Sequence, residues 1–221
     1  MERLSVSRLF DTSKTIAERL FDDCEFPWLV LDKLGEFIVE LGSTLDPKLF
    51  NKTGENIWIA KDATVFDSAY IKGPCIIDQG AEIRHCAFIR GNVIVGKASI
   101  VGNSCELKNS VIFDFVQAPH YNYVGDSVLG YKSHMGAGSI TSNVKSDKTN
   151  VAIKLEDKAI VTGRRKIGAM IGDGVEIGCG SVLNPGTVIG RNSNIYPLSC
   201  VRGYVAAGSI YKNAGEIVKK K

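Results

Sequence analysis

The sequence predicts an all-β parallel solenoid preceded by a short helical segment. Three observations carry this: a six-residue apolar period, a different pattern before residue 54, and one polar stretch where the period fails. Steps of six from Ile59 meet Val65, Ile71, Ile77, Ile83, Ile89, Val95, Val101, Leu107 and Phe113. Four residues after each of the first nine stands a small or β-branched residue: Ala63, Ala69, Cys75, Ala81, Ala87, Val93, Ser99, Cys105 and Val111. A second run, Ile171, Ile177, Leu183, Ile189, Ile195 and Val201, repeats the pattern with Val175, Ser181, Thr187, Ser193, Ser199 and Val205. A helix would space apolar residues near 3.6, and plain alternation would not single out every sixth position. Short parallel strands that turn a corner every six residues satisfy the period, with like side chains stacked on coils about 4.8 Å apart. The large aliphatic fills the interior and the small residue fits the corner. Gly or Asn supplies the turn conformations with positive φ.

Taken in order, residues 1–54 read as a helical appendage. SKTIAERLF sets Ile16, Leu20 and Phe21 at helical spacing after a Ser cap, and FPWLVLDKLGEFIVELG sets Leu31, Leu34, Phe37, Ile38 and Leu41 on one face before a terminal Gly. The expectation is two amphipathic helices that cover an end of the solenoid or a neighbouring subunit. Residues 55–213 form the solenoid, about twenty hexads, and residues 214–221 a basic tail.

Composition bounds the function classes. A net charge of +3 with 44% hydrophobic residues gives no electrostatic reason to expect nucleic acid. Cys24, Cys75, Cys86, Cys105, Cys179 and Cys200 form no CxxC pair, and MERLSVSRLF lacks the apolar core of a signal peptide. No apolar run approaches the roughly eighteen residues of a membrane span. A reduced, cytoplasmic protein without a membrane partner is expected.

The period fails around residues 117–126, QAPHYNYVGD: the slot after Phe113 falls on Pro119, and the aliphatic frame resumes out of phase at Leu129 and Met135, so something in 114–123 is expected to change the number of residues per coil. His120, Asn122 and Tyr123 fall in this break. Downstream, VGDSVLGYKSHMGAGSITSN brings Gly-rich backbone close to whatever lies beside it, and a second irregular segment, VKSDKTN at 144–150, follows. Irregular segments of solenoids commonly build the binding surface.

The hexad [LIV]-G-x-x-[small]-x resembles the repeat of left-handed parallel β-helix proteins, in which three hexads make a triangular coil. Members are usually trimers, and many are acyltransferases with active sites between neighbouring prisms. HxxYxGD, then GAGSIT and Asn143, resembles more closely the acetyltransferase half of the bifunctional enzymes that acetylate glucosamine 1-phosphate and then make UDP-N-acetylglucosamine. The likeness covers roughly residues 83–213 and is tightest over 101–143. It extends to variants in which PHxNYVGDS is followed by a GRRK-like stretch, here Gly163, Arg164, Arg165 and Lys166. No GxGTR-type nucleotide loop occurs, so acyl transfer without uridylyl transfer is expected.

The resemblance implies a division of labour. An amine with a pKa of about 7.7–8.0 is mostly protonated at neutral pH and needs a base before it attacks a thioester; His120 matches the general base. A backbone N–H at Ala137, within Gly136–Gly138, matches the oxyanion donor, and Asn143 orients substrate or intermediate. Tyr123 matches a sugar-binding position. Arg90 and Lys108 match cations that hold the sugar phosphate. His134 stands where the family often has Asn, and Lys148 is a candidate for a further lysine that follows the family's Asn. Ala137, Gly138, Arg164 and Arg165 are candidates for coenzyme A. The implied cosubstrate is acetyl-CoA, with no metal required for acetyl transfer. The implied assembly is a homotrimer with sites between subunits, acting on a small-molecule amino-sugar phosphate. Because His134 replaces Asn and the family's NYDG-like stretch is replaced by Asn143, Val144 and Lys145, the acceptor stays open between glucosamine 1-phosphate, galactosamine 1-phosphate and a nucleotide-linked amino sugar.

Two other classes compete. A noncatalytic hexapeptide subunit, or an acyltransferase for another acceptor, fits the same repeat. A zinc carbonic anhydrase on the same prism would use His85, His120 and His134, but the close HxxxxH pair of that family is missing.

Overall fold

A computed structural model of the chain describes residues 1–155, 158–212 and 215–220. The chain forms the left-handed parallel β-helix that the hexad predicts. On one face Ile59, Ile77, Val95, Ile112, Leu129, Ile171, Ile189 and Val205 stack through parallel pairs, giving eight levels. On a second face Val65, Ile83 and Val101 continue to Ile177, Ile195 and Tyr211. Ile71, Ile89, Leu107, Val124, Thr141, Leu183 and Val201 line the third. Interior residues of the middle coils are fully buried, each contributing about 1.5–3 kcal/mol of hydrophobic stabilisation.

The register differs from the simple hexad at places other than residues 114–123. Ile89 pairs with Leu107, but Val95 pairs with Ile112 rather than Phe113. One residue is missing between Leu107 and Ile112, and one more between Val124 and Leu129. The frame therefore slips by two residues in two single steps. At each step the strand runs through the corner without a break, as Glu106–Ile112 and as Tyr123–Leu129. Phe113 is buried all the same, but against Phe10 and Phe21, with ring centroids 5.3 and 5.4 Å away. A third irregularity is larger. Leu129 pairs with Ile171, 42 residues on, because an excursion carrying the hairpin Ala152–Lys154/Ala159–Val161 leaves the prism after Asn143 and returns at Ile167.

The N-terminal segment lies along one side of the prism rather than over an end. The outward residues of the first face, Ile76, Ile94, Val111, Val128, Met170 and Val188, are as apolar as the inward ones, and all are fully buried. Residues 1–49 cover them as a strap that runs from the last coil towards the first. Arg3 sits over the Tyr204 ring, Leu9 O accepts from Asp173 N, Lys14 O accepts from Asp114 N, and Gly42 meets Trp58.

The two expected helices are also altered. SKTIAERLF forms 3-10 turns at Thr12–Lys14 and Glu18–Phe21, because Asp11 Oδ1 accepts from Ser13 N and Thr15 Oγ1 accepts from Ala17 N, which offers the backbone local partners in place of a helical ladder. The second stretch is a 3-10 turn, Pro27–Asp32, followed by the α-helix Leu34–Thr44. Gly42 does not end that helix. A Cβ there would lie 2.4 Å from the Trp58 ring, so glycine sets how closely helix and prism approach.

At the C-terminus, Ile217–Lys219 pairs antiparallel with Ser209–Tyr211, and Lys220 Nζ donates to Asn194 Oδ1 at 2.7 Å, so this part of the expected tail completes the last coil. The expected boundary at Asn213 and Ala214, and Lys221, lie outside the described residues.

Candidate functional site

The two shortened corners stack, and the polar cluster grows from them. Asn109 and Asp126 occupy these corners with φ of 48° and 49°, a conformation that Asn and Asp tolerate better than other side chains. Asn109 Nδ2 donates to Asp126 Oδ1 at 2.8 Å, and Asn143 Nδ2, one coil further, donates to Asp126 Oδ2. Lys108 Nζ stands 3.5 Å from the same Oδ2. Asp126 is buried, and its charge is balanced by one cation and two amides.

Tyr123 joins through its hydroxyl, which accepts from Asn143 Nδ2 at 3.2 Å. Burial first, and the Asp126 carboxylate second, push the phenol above its usual value. Gly125 makes this contact sterically feasible, since a Cβ there would meet the Tyr123 hydroxyl at 2.5 Å and Asn143 Nδ2 at 2.9 Å. Arg90 lies one coil below Lys108 in the same row, and its guanidinium donates to Glu106 Oε1 at 2.6 Å.

Beside this face runs a prism edge that bears His120 and Ala137. The His120 amide donates to Asn122 Oδ1 at 3.2 Å, its carbonyl accepts from Gly138 N at 3.0 Å, and its imidazole is exposed. Asn122, fully buried, donates from Nδ2 to the carbonyls of Gly136 and Ser139 at 2.9 and 3.1 Å. The amide of Ala137 has no acceptor among the described residues and lies on the exposed turn directly after the Gly136 that Asn122 holds. Only Tyr121 and Asn122 separate His120 from Tyr123, so edge and face meet there.

The returning excursion closes the cluster from one side. Ile167 N donates to Asn143 O, and Gly168 N to Asp126 O. A cleft of about 660 Å³ lies here, lined by Asp32, Asp126, Val144, Gly163, Arg164, Arg165 and Lys166. Arg164 is ion-paired with Asp32 of the strap, whereas Arg165 and Lys166 have no acidic partner among the described residues.

Of the residues singled out from sequence, Arg90, Lys108, Tyr123, Asn143, Arg164 and Arg165 come together around Asp126. His120, Ala137 and Gly138 come together on the adjoining edge. Arg164 and Arg165 are thus separated from Ala137 and Gly138, with which they were grouped. His134 is not brought in: it stands on the second face, where Nδ1 meets Glu176 Oε2 at 2.9 Å. Lys148 is exposed on a turn whose amide donates to Lys145 O, away from the Asp126 contacts. His85 Nδ1 meets Ser68 Oγ at 3.0 Å, so the three histidines of the zinc alternative are distributed among different partners.

Two residues in the cluster were given no role from sequence, Asp126 and Glu106. Asp126 is quoted in HxxYxGD, but its partners depend on corner register, which the hexad count misplaces.

Family comparison places the geometry. Residues 71–167 match the family described as GMPPB C-terminal domain, and residues 168–203 match the bacterial transferase hexapeptide, six repeats. The chain carries a GMPPB C-terminal domain followed by hexapeptide repeats. Among curated relatives, this hexapeptide-repeat chain is 35% identical over 205 residues to a bifunctional protein GlmU of Methanococcus maripaludis, covering 91% of this chain and 49% of that protein. It is 37% identical over 166 residues to a bifunctional sugar-1-phosphate nucleotidylyltransferase/acetyltransferase of Sulfurisphaera tokodaii, covering 67% of this chain and 41% of that one. A GlmU of Methanococcus vannielii is 34% identical over 224 residues, with 98% and 54% covered. The hexapeptide-repeat chain therefore spans about half the length of the curated relatives it matches. Among its described residues, no helix is long and apolar enough to cross a membrane.

Proposed function

We propose that the protein is an acetyl-CoA-dependent N-acetyltransferase of an amino-sugar 1-phosphate. The observation that carries this reading is the adjacency of two sets of groups: an exposed imidazole with a free backbone amide on one edge, and the Lys108–Tyr123–Asp126–Asn143 cluster with its cationic cleft on the next face. The bifunctional relative of Sulfurisphaera tokodaii is itself named for a sugar-1-phosphate and for acetyl transfer.

In this reading the phosphate sits among Lys108, Arg165 and Lys166, with Arg90 below, where ionic hydrogen bonds favour an oxyanion. Tyr123 and Asn143 hold the sugar. His120 takes a proton from the amine, whose nitrogen attacks the acetyl carbonyl carbon. The Ala137 N–H stabilises the oxyanion that forms. The tetrahedral intermediate then collapses, the C–S bond breaks, and the coenzyme A thiolate leaves and takes up a proton.

A homotrimer completes the proposal. Tyr70 and Phe88, 65% and 38% exposed, stand in the same outward row as Glu106 and Tyr123, on a face that the strap leaves uncovered. A second copy seated on this row would cover the aromatic rings and bring its own residues beside the cluster. Cysteines that are all unpaired among the described residues suit a cytoplasmic setting.

The test is release of coenzyme A from acetyl-CoA with glucosamine 1-phosphate or galactosamine 1-phosphate, with His120→Ala beside the wild type. Turnover that falls by about 10²–10⁴ in the variant supports the reading. Silence of a folded protein with both sugars rejects the acceptor, and an equal rate in the variant rejects His120 as the base. Light scattering that gives a monomer removes the intersubunit arrangement.

A further inference from the structure

Asp126 is a buried carboxylate within the acceptor cluster, and no role has been given to it so far. Its side chain is 4% exposed, and three of its neighbours are side chains from the two coils that flank its own: Asn109 at 2.8 Å and Lys108 at 3.5 Å on one, and Asn143 on the other. Its main-chain carbonyl also receives Gly168 N at 2.8 Å, where the excursion rejoins the prism.

A carboxylate only accepts hydrogen bonds. Beside Asp126, the Asn143 side chain must therefore present its NH₂, and that same nitrogen also reaches the Tyr123 hydroxyl at 3.2 Å. Two consequences follow from donor and acceptor counting. Asn143 Oδ1 is turned away from Asp126 and is left free to accept a hydrogen bond. The Tyr123 oxygen is already accepting, so its own proton is left to donate outward. Replacing the carboxylate by a group that can donate would allow the amide to flip, and both polarities would be lost together. The same carboxylate tethers the Lys108 ammonium.

We infer that Asp126 is the positioning residue of the acceptor site: it fixes the amide orientation of Asn143, the hydroxyl orientation of Tyr123 and the place of the Lys108 charge. The inference rests on the amino-sugar phosphate reading and deepens it. It assigns the side-chain Oδ1 of Asn143 to a donor on the acceptor, an amine or hydroxyl, and the Tyr123 hydroxyl to an acceptor oxygen.

Asp126→Asn keeps the size and one carbonyl oxygen but puts an NH₂ among three donors. The expected result is a KM for glucosamine 1-phosphate, or for whichever epimer turns over, raised by about 10- to 100-fold, with the KM for acetyl-CoA unchanged. Because the variant also weakens a buried corner, the exchange Asn109→Asp with Asp126→Asn serves as the second protein. It restores an Asn–Asp pair between the two corners but moves the carboxylate one coil away from Asn143. A structural corner lock alone predicts that the exchange recovers both melting temperature and KM. Positioning predicts that it recovers the melting temperature and leaves the KM high. An unchanged KM in Asp126→Asn, or a KM restored by the exchange, overturns the inference while leaving the acetyltransferase reading intact. No turnover by the wild type, together with no binding of either sugar phosphate by calorimetry, overturns the reading and this inference with it.

Discussion

The side-chain amide of Asn122 donates to the carbonyl of Gly136 at 2.9 Å and so ties the turn bearing His120 to the turn bearing Ala137. The same side chain accepts from the His120 amide. Asn122→Ala would remove both bonds from a buried site, although the Gly136 carbonyl keeps Ser139 as a donor. The expected loss is about 1–3 kcal/mol of stability, read from the midpoint of urea unfolding. A midpoint equal to that of the wild type would mean that the two turns hold their places without the bridge.

Gly42 and Trp58 give a second prediction. Gly42→Ala puts a methyl carbon where the Trp58 ring already lies, so helix Leu34–Thr44 must move off the first coil. Destabilisation of about 1–3 kcal/mol is expected for such overpacking. Tryptophan fluorescence should shift as Trp58 gains water, and a variant with the wild-type melting temperature and spectrum would contradict the packing described.

Asp78 provides a pH signature. Its carboxyl is buried, and although Oδ1 accepts from Gln79 N at 2.7 Å, burial pushes its pKa above the usual value. A carboxyl whose folded pKa is raised destabilises the fold once it ionises. This penalty is absent below the unfolded pKa of about 3.9 and grows as pH rises through the folded value. Asp78→Asn is therefore expected to melt higher than the wild type at neutral pH, with the gap closing as pH falls below about 4. Melting curves across pH for both proteins check this; a gap that widens on acidification has the wrong sign.

Arg165 separates two partners for the basic stretch. It lines the cleft with Asp126 rather than the edge with Ala137. Arg165→Ala should raise the KM for a phosphorylated acceptor by about tenfold, the loss of one charge-assisted hydrogen bond, and leave the KM for acetyl-CoA near its starting value. The opposite split would assign the residue to coenzyme A.

Much of this was legible in the residues, for physical reasons that can be named. From Ile59 to Leu107 every inward side chain sits where the period puts it, because unbroken hexads leave the register no freedom. Phe113 was placed inside the coil although Ile112 is the residue that stacks. An aromatic satisfies an apolar period equally well from outside when something covers it, and here Phe10 and Phe21 do. The sequence also carries a signal for that cover. In Ile76–Ile77, Ile94–Val95, Val111–Ile112 and Val128–Leu129 an apolar residue precedes the inward one on the same face, and an outward apolar row needs a partner. Residues of the HxxYxGD stretch and Asn143 could be gathered because the motif runs along one face from edge to edge, whereas the place of His134 depends on the register. Its alternation with Met135 turns it onto another face, and that face is defined only after the two missing residues are counted. Asp32 as the partner of Arg164 was beyond reach, since the contact joins the strap to the excursion across more than half the chain.

An ordinary solenoid can fold coil by coil, each needing only its neighbour. The strap denies this chain that freedom. It is made before the coils, yet Leu9 and Arg3 find their places on Asp173 and Tyr204, which are made after most of them. Folding is then a closure between the two ends of the chain, with the slow, long-range character of high contact order. Removing the last coils would strip partners from the first residues, so damage at the C-terminus should be felt at the N-terminus, and the molecule should unfold as one unit rather than fray from either end.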